Sequence, residues 1–170
     1  KTVLPHIIAI LIFIALGFVY CSPVLQDEVP NQSDMVQVQG MTKEARDFYE
    51  KTHEHPLWSN SMFSGMPTYV TYTGPSANKL GKLNEVFSLF LPQPVNMLFL
   101  AMIGMYILLC VIGLQYWIRI FGALAYGFSS FNLILIGAGH ITEMMTMAYM
   151  APVIAGVILT YRGRYLLGRY

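Results

Sequence analysis

Charge is what this chain of 170 residues has least of: 11% of its positions are Asp, Glu, Lys or Arg, against roughly 25% in a soluble domain. Four stretches, 2–26, 86–118, 120–142 and 144–161, carry none at all. That excludes an ordinary soluble globule. There is no basic stripe of the kind that binds nucleic acid. No Walker loop, dinucleotide glycine pattern, hydrolase elbow or zinc-ligand quartet occurs. Internal repeats and low-complexity tracts are missing too. The two cysteines, Cys21 and Cys110, read as small buried apolar residues. No small-x-small cleavage site follows the first apolar run, and Val19-Tyr20 does not provide the small residue that precedes a lipidated cysteine. The first run is therefore expected to stay as an uncleaved span.

What is present is hydrophobic length. Crossing the hydrocarbon takes about 20 apolar residues, with about 17 as a lower limit. The uncharged stretches predict an all-α integral membrane fold with four transmembrane helices, near residues 4–20, 95–114, 120–137 and 146–161. Pro92 and Pro94 mark the break before the second. Lys and Arg in short loops favour the cytoplasm. With the N-terminus inside, Lys1, Arg119, Arg162, Arg164 and Arg169 fall on the cytoplasmic side. All nine carboxylates then fall on the other side, eight in the long first loop and Glu143 after the third span. The expectation is one membrane module over 1–170, with an extracytoplasmic loop over 21–93.

Within that loop, residues 41–55 read as a helix. Thr42 can cap it, and Met41, Ala45, Phe48 and Tyr49 share a face. A second helix fits 77–91, where Leu80, Leu83, Phe87, Phe90 and Leu91 form a stripe suited to the membrane interface. The stretch between them is rich in Gly, aromatic and turn residues and reads as an ordered loop, with Trp58 and Tyr69 near the lipid headgroups. Gly122, Ala123 and Gly127 suit close helix packing in the third span, and Pro152 can kink the fourth. The chain starts without Met and stops soon after a span, which suggests the N-terminal piece of a larger polytopic protein.

Two polar elements could carry chemistry. Asp34, in Asn31-Gln32-Ser33-Asp34-Met35, follows span one closely enough for its carboxylate to act as a general base at the lipid boundary. An Asx-turn or helix cap explains it equally well, and Asp27 and Glu28 are just as close to the span. The second element is Gly139-His140-Ile141-Thr142-Glu143. On a helix, residues three apart share a face, so His140 and Glu143 can meet. His140 could hold a phosphate, relay a proton or ligate a metal, and an ordinary polar turn is the competing explanation. His53 and His55 make a His-x-His pattern too sparse to specify a metal site.

Further segments carry a resemblance. Ser22-Pro23-Val24-Leu25, Gln32-Ser33-Asp34, Pro56-Leu57-Trp58, Met62-Phe63-Ser64-Gly65-Met66-Pro67, Ala125-Tyr126-Gly127-Phe128-Ser129-Ser130, Ala138-Gly139-His140, Tyr149-Met150-Ala151-Pro152 and Leu159-Thr160-Tyr161-Arg162-Gly163 follow one another along nearly the whole chain. In that order they resemble the N-terminal part of bacterial YfhO-type membrane proteins. That family looks like the GT-C class of glycosyltransferases, which take a sugar from a polyprenyl-phosphate carrier and transfer it outside the cytoplasmic membrane. The resemblance implies a multi-pass protein of the bacterial inner membrane with its N-terminus in the cytoplasm. It implies that Asp34 is the acidic residue such enzymes place soon after span one, here a general base for an acceptor hydroxyl. The predicted topology puts further polar elements on the same membrane face, so His140 with Glu143 is expected to assist at the leaving phosphate, and Trp58, Lys79 and Lys82 are expected to bind the lipid-linked sugar destined for a cell-envelope acceptor. This reading fixes no cofactor, and a divalent cation held with the help of Glu143 is one option. The alternative is a non-catalytic scaffold for other envelope glycosylation proteins, or a lipid-carrier translocator.

Overall fold

The structure, a computed structural model, describes residues 3–28, 30–71 and 81–163. The chain is mostly helical and divides into two units, one made of Lys1–Pro30 and Asn84–Tyr170, the other of Asn31–Leu83.

The first unit is a helical bundle. Its helices are α1 (Leu4–Tyr20), α5 (Val95–Ile112), α6 (Tyr116–Gly127), α7 (Ser130–Ala138) and α8 (Ile141–Tyr161). Pro5 lies in the first turn of α1, where the missing N–H costs nothing. The helix then runs through uninterrupted apolar residues to Tyr20. A 3-10 turn, Ser22–Gln26, follows it.

The central element is α5. Val95, Leu98, Phe99, Met102 and Tyr106 are buried with Ala9 and Phe13 of α1 and with Ile120 and Ala123 of α6. Its other flank, Met97, Leu100 and Ala101, clusters with Leu135 of α7 and with Met144 and Ala148 of α8. Side-chain pairings give the directions. His6 meets Tyr106 and Gly17 abuts Val95, so α1 and α5 are antiparallel. Gly122 abuts Leu109 and Gly127 abuts Met102, so α6 is antiparallel to α5 as well. Gly104 abuts Ala148 and Pro152, while Arg162 reaches Val111, so α8 runs parallel to α5.

Two of these helices, α5 and α8, are long and apolar enough to cross a membrane. A third crossing is available if α6 and α7, bent by 40° at their break, count as one span. With its 17 residues, α1 is apolar but shorter than these. The expected spans near 95–114 and 146–161 thus correspond to α5 and α8. The stretch expected as one straight helix over 120–137 is broken at Phe128-Ser129. The break is stabilised from inside: Asn132, fully buried, donates its side-chain amide to the carbonyl of Tyr126 at 2.8 Å. If the bent pair is one span, its break needs such a partner, because hydrocarbon offers none.

Charge is segregated along this bundle. Asp27 and Glu28 follow α1, Glu85 precedes α5, and Glu143 begins α8; these positions gather toward the end where α5 starts. At the opposite end, Arg119 donates Nε to the Leu114 carbonyl at 2.5 Å, and Arg162 donates to the Val111 carbonyl at 2.5 Å. Arg162 thereby satisfies a last-turn carbonyl of α5 and Arg119 a carbonyl just past its end, and both charges complement the negative pole of its dipole.

The second unit contains α2 (Ser33–Met41), α3 (Lys43–Thr52), and an antiparallel pair of two-residue strands, β1 (Trp58–Ser59) and β2 (Met66–Pro67). The helix expected over 41–55 is therefore α3, shorter at both ends and preceded by a helix of its own. Thr42 does not cap it. The Thr42 hydroxyl turns back to the Val38 carbonyl at 2.7 Å, closing α2 instead of opening α3. The carboxylate of Glu44 organises the hairpin, as Oε2 accepts from the Ser59 hydroxyl at 2.7 Å and from the backbone N–H groups of Asn60 and Ser61 at 2.9 Å each. These bonds, the one from Ser59 foremost, hold its pKa below the usual glutamate value. Helix α4 (Gly81–Phe87) contains the sequence boundary between the two units. Residues 77–80 of the expected interfacial helix lie outside the described residues. Its far end stops at Phe87 rather than 91, because the chain turns there through positive φ at Leu89 and Phe90.

Candidate functional site

The polar site that the structure assembles is at the start of α8. Helix α7 ends on Gly139, whose φ of 95° is comfortable only without a Cβ. The N–H of His140 then bonds back to the Leu135 carbonyl at 2.9 Å, the closing bond of a Schellman-type helix end. This turn leaves His140 as the N-cap residue of α8 and Glu143 in its first turn. From there His140 Nδ1 and Glu143 Oε2 come within 2.9 Å. The pair is open to solvent, with side-chain exposures of 39% and 61%, so a ligand can reach both groups.

Beside the pair is a groove of about 330 Å³ lined by Phe131, Leu135, Thr142, Glu143, Thr146 and Met147. Its lining combines a carboxylate and two threonines with three apolar side chains. Below it, Tyr126 donates its hydroxyl to the Met147 carbonyl at 2.7 Å, tying α6 to the first half of α8. The Thr146 hydroxyl is occupied by the Thr142 carbonyl at 2.8 Å. Chemically, the arrangement offers an imidazole held through Nδ1 by a carboxylate. Such a ring can donate to an anion or shuttle a proton.

The other expected site residues belong to the Asn31–Leu83 unit or lie outside the described residues. Asp34 is in the first turn of α2, where a carboxylate complements the helix dipole, and the Ser33 hydroxyl approaches it at 3.4 Å. Trp58 opens β1 with its indole over Gly65. Lys82 is exposed on α4, and Lys79 lies outside the described residues. His53 and His55 both pack on the ring of Tyr49, His55 stacked at 4.6 Å and His53 edge-on at 6.2 Å. Among the described residues, no group of three or more His, Cys, Asp or Glu side chains could hold a metal ion. Cys21, just past α1, is buried, and burial pushes its thiol pKa up.

Three polar residues went unnoticed in the sequence. Asn132 stabilises the helix break, and its Oδ1 remains buried without a partner, as does Oδ1 of Asn96 near the start of α5. Tyr126 pins α8. An amide inside an uncharged, strongly apolar stretch was the available signal for both asparagines. No family model matches the chain, and no curated protein or solved structure matches it either.

Proposed function

We propose that this chain is the membrane module of a GT-C-like glycosyltransferase that transfers a sugar from a polyprenyl-phosphate carrier to a cell-envelope acceptor on the extracytoplasmic side. The observation that carries the reading is the His140–Glu143 contact of 2.9 Å at the acidic end of an apolar bundle, beside an open groove. The resemblance to YfhO-type proteins supports it. In this mechanism Asp34 takes the proton from the acceptor hydroxyl, whose oxygen attacks the anomeric carbon. The bond from that carbon to the phosphate oxygen breaks with inversion, and polyprenyl phosphate leaves. An imidazolium at His140, oriented through Nδ1 by Glu143, donates from Nε2 to the departing phosphate, where charge develops. Trp58, Lys79 and Lys82 complete donor binding.

The test is sugar transfer from a radiolabelled polyprenyl-phosphate donor in membranes that contain the protein. Asp34→Asn should abolish turnover with donor binding retained, and His140→Ala should reduce it by about 10²-fold, as loss of one charge-stabilising donor does. Turnover at wild-type levels in both variants would reject the enzyme.

A second reading, a lipid-carrier translocator, is favoured by one feature. The α6–α7 pair is bent at a buried amide, and interrupted helices with polar groups inside are typical of transport paths. Scrambling of a fluorescent polyprenyl phosphate across vesicles, lost in Asn132→Leu and kept in Asp34→Asn, would select it.

A further inference from the structure

The hairpin of the Asn31–Leu83 unit exposes large apolar side chains to a degree that water does not favour. Leu57 is 86% exposed, Phe63 83%, Tyr69 77%, Val70 59% and Trp58 54%. These five come from one short segment, closed by the β1–β2 pairing and by the bond from Thr68 N–H to the Leu57 carbonyl at 3.1 Å. No Asp, Glu, Lys or Arg occurs between Leu57 and Thr71. Exposed apolar surface concentrated this way marks a contact surface.

The backbone at the tip supports the same conclusion. Phe63 and Ser64 have φ of 50° and 61°, a left-handed conformation that is unfavourable for a bulky aromatic residue. That strain does not bury the ring, which stays almost fully outside. Glu44 holds the loop in this shape through its three bonds to Ser59, Asn60 and Ser61. A strained conformation kept in place by its surroundings and displaying an apolar ring points to a use for that ring.

We propose that this hairpin inserts into the lipid bilayer, with Leu57 and Phe63 entering the hydrocarbon and Trp58 and Tyr69 remaining at the headgroups. A bilayer is the occupant that fits. The segment offers no charge for a charged partner, and Trp and Tyr are the residues enriched at the membrane–water boundary. Both ends of the unit also continue in sequence into the unit that carries the membrane-length helices α5 and α8. That covalent tether keeps the hairpin at a high effective concentration near lipid. The inference requires membrane insertion of those helices and is independent of glycosyl transfer.

The experiment places the protein in phosphatidylglycerol–phosphatidylethanolamine nanodiscs in a Trp117→Phe background, leaving Trp58 as the single tryptophan. Trp58 emission is measured with lipids brominated near the headgroup or at mid-chain, and with aqueous iodide. Headgroup-proximal bromolipids should quench it strongly and iodide weakly. In Leu57→Gln/Phe63→Gln the bromolipid quenching should fall at least threefold while iodide quenching rises. Strong iodide quenching with no bromolipid effect in the unsubstituted hairpin would overturn the proposal and assign the surface to a soluble partner. As a second readout, Phe63→Cys should resist a membrane-impermeant maleimide, and Ser64→Cys should react faster. Equal and fast labelling of both would also overturn it.

Discussion

Gly104 on α5 lies directly against the carbonyl of Ala148 on α8. A Cβ at position 104 would stand 2.5 Å from that oxygen and 3.0 Å from Cδ of Pro152. The two facts share a cause. Pro152 has no N–H, so it cannot bond the Ala148 carbonyl four residues back. The uncovered oxygen faces a helix that has no side chain at that point. Inside a bilayer such close approach replaces the hydrophobic drive that helices lack there.

Gly104→Val should therefore separate α5 from α8. Overpacking of this kind costs about 1–3 kcal/mol. Thermal unfolding in detergent, followed by circular dichroism, should show a melting temperature lower by several degrees. Gly156→Ala, a site inside α8 with nothing within 4 Å of the added methyl, should not lower it, since Ala favours a helix over Gly.

Asn132 gives a second prediction, in which the order of two substitutions matters. Asn132→Leu removes the donor to Tyr126 but also removes the unpartnered Oδ1, so its cost should stay near the lower end of the ~1–3 kcal/mol range for a buried polar loss. Asn132→Asp loses the same donor and buries a carboxyl, so it should destabilise more. Equal melting temperatures for the two would contradict the role given to this amide at the break.

The hairpin should be acid-sensitive through Glu44. Its folded pKa is depressed, so its contribution is present above the unfolded value and is lost as pH falls through the folded one. Amide hydrogen exchange at Asn60 and Ser61, corrected for intrinsic rates, should accelerate as pH falls below the ordinary glutamate range. In Glu44→Gln protection should be weaker at neutral pH already, and the acid transition should disappear.

Gly139 controls the candidate site indirectly. Gly139→Ala forces a Cβ into a left-handed turn, at about 1–2 kcal/mol, and displaces His140 relative to Glu143. Turnover in the transfer assay should drop toward that of His140→Ala. Gly137→Ala, where the added methyl meets nothing within 4 Å, should behave like the unsubstituted protein.

Much of the bundle was legible because apolar length is a strong local signal. Residues 4–20 coincide with α1, and Pro94 marks the start of α5 at Val95. The His140–Glu143 contact followed from spacing alone. The bend at Phe128-Ser129 did not, since neither residue is a helix breaker and the stabilising contact comes from Asn132, further along. The hold of Glu44 on the hairpin was not legible, because its partners lie 15 to 17 positions away, beyond any periodic pattern. Thr42 misled for a simpler reason: its hydroxyl has two backbone destinations, and the earlier helix claimed it.

The helices differ in reach. At 1.5 Å per residue, α8 with 21 residues extends about 31 Å and α1 with 17 about 25 Å. If both cross a bilayer, it must be thinner on the α1 side or α8 must tilt. The protein should therefore fit short-chain lipids better than long-chain ones, and acyl length becomes a variable that acts on the bundle through hydrophobic mismatch.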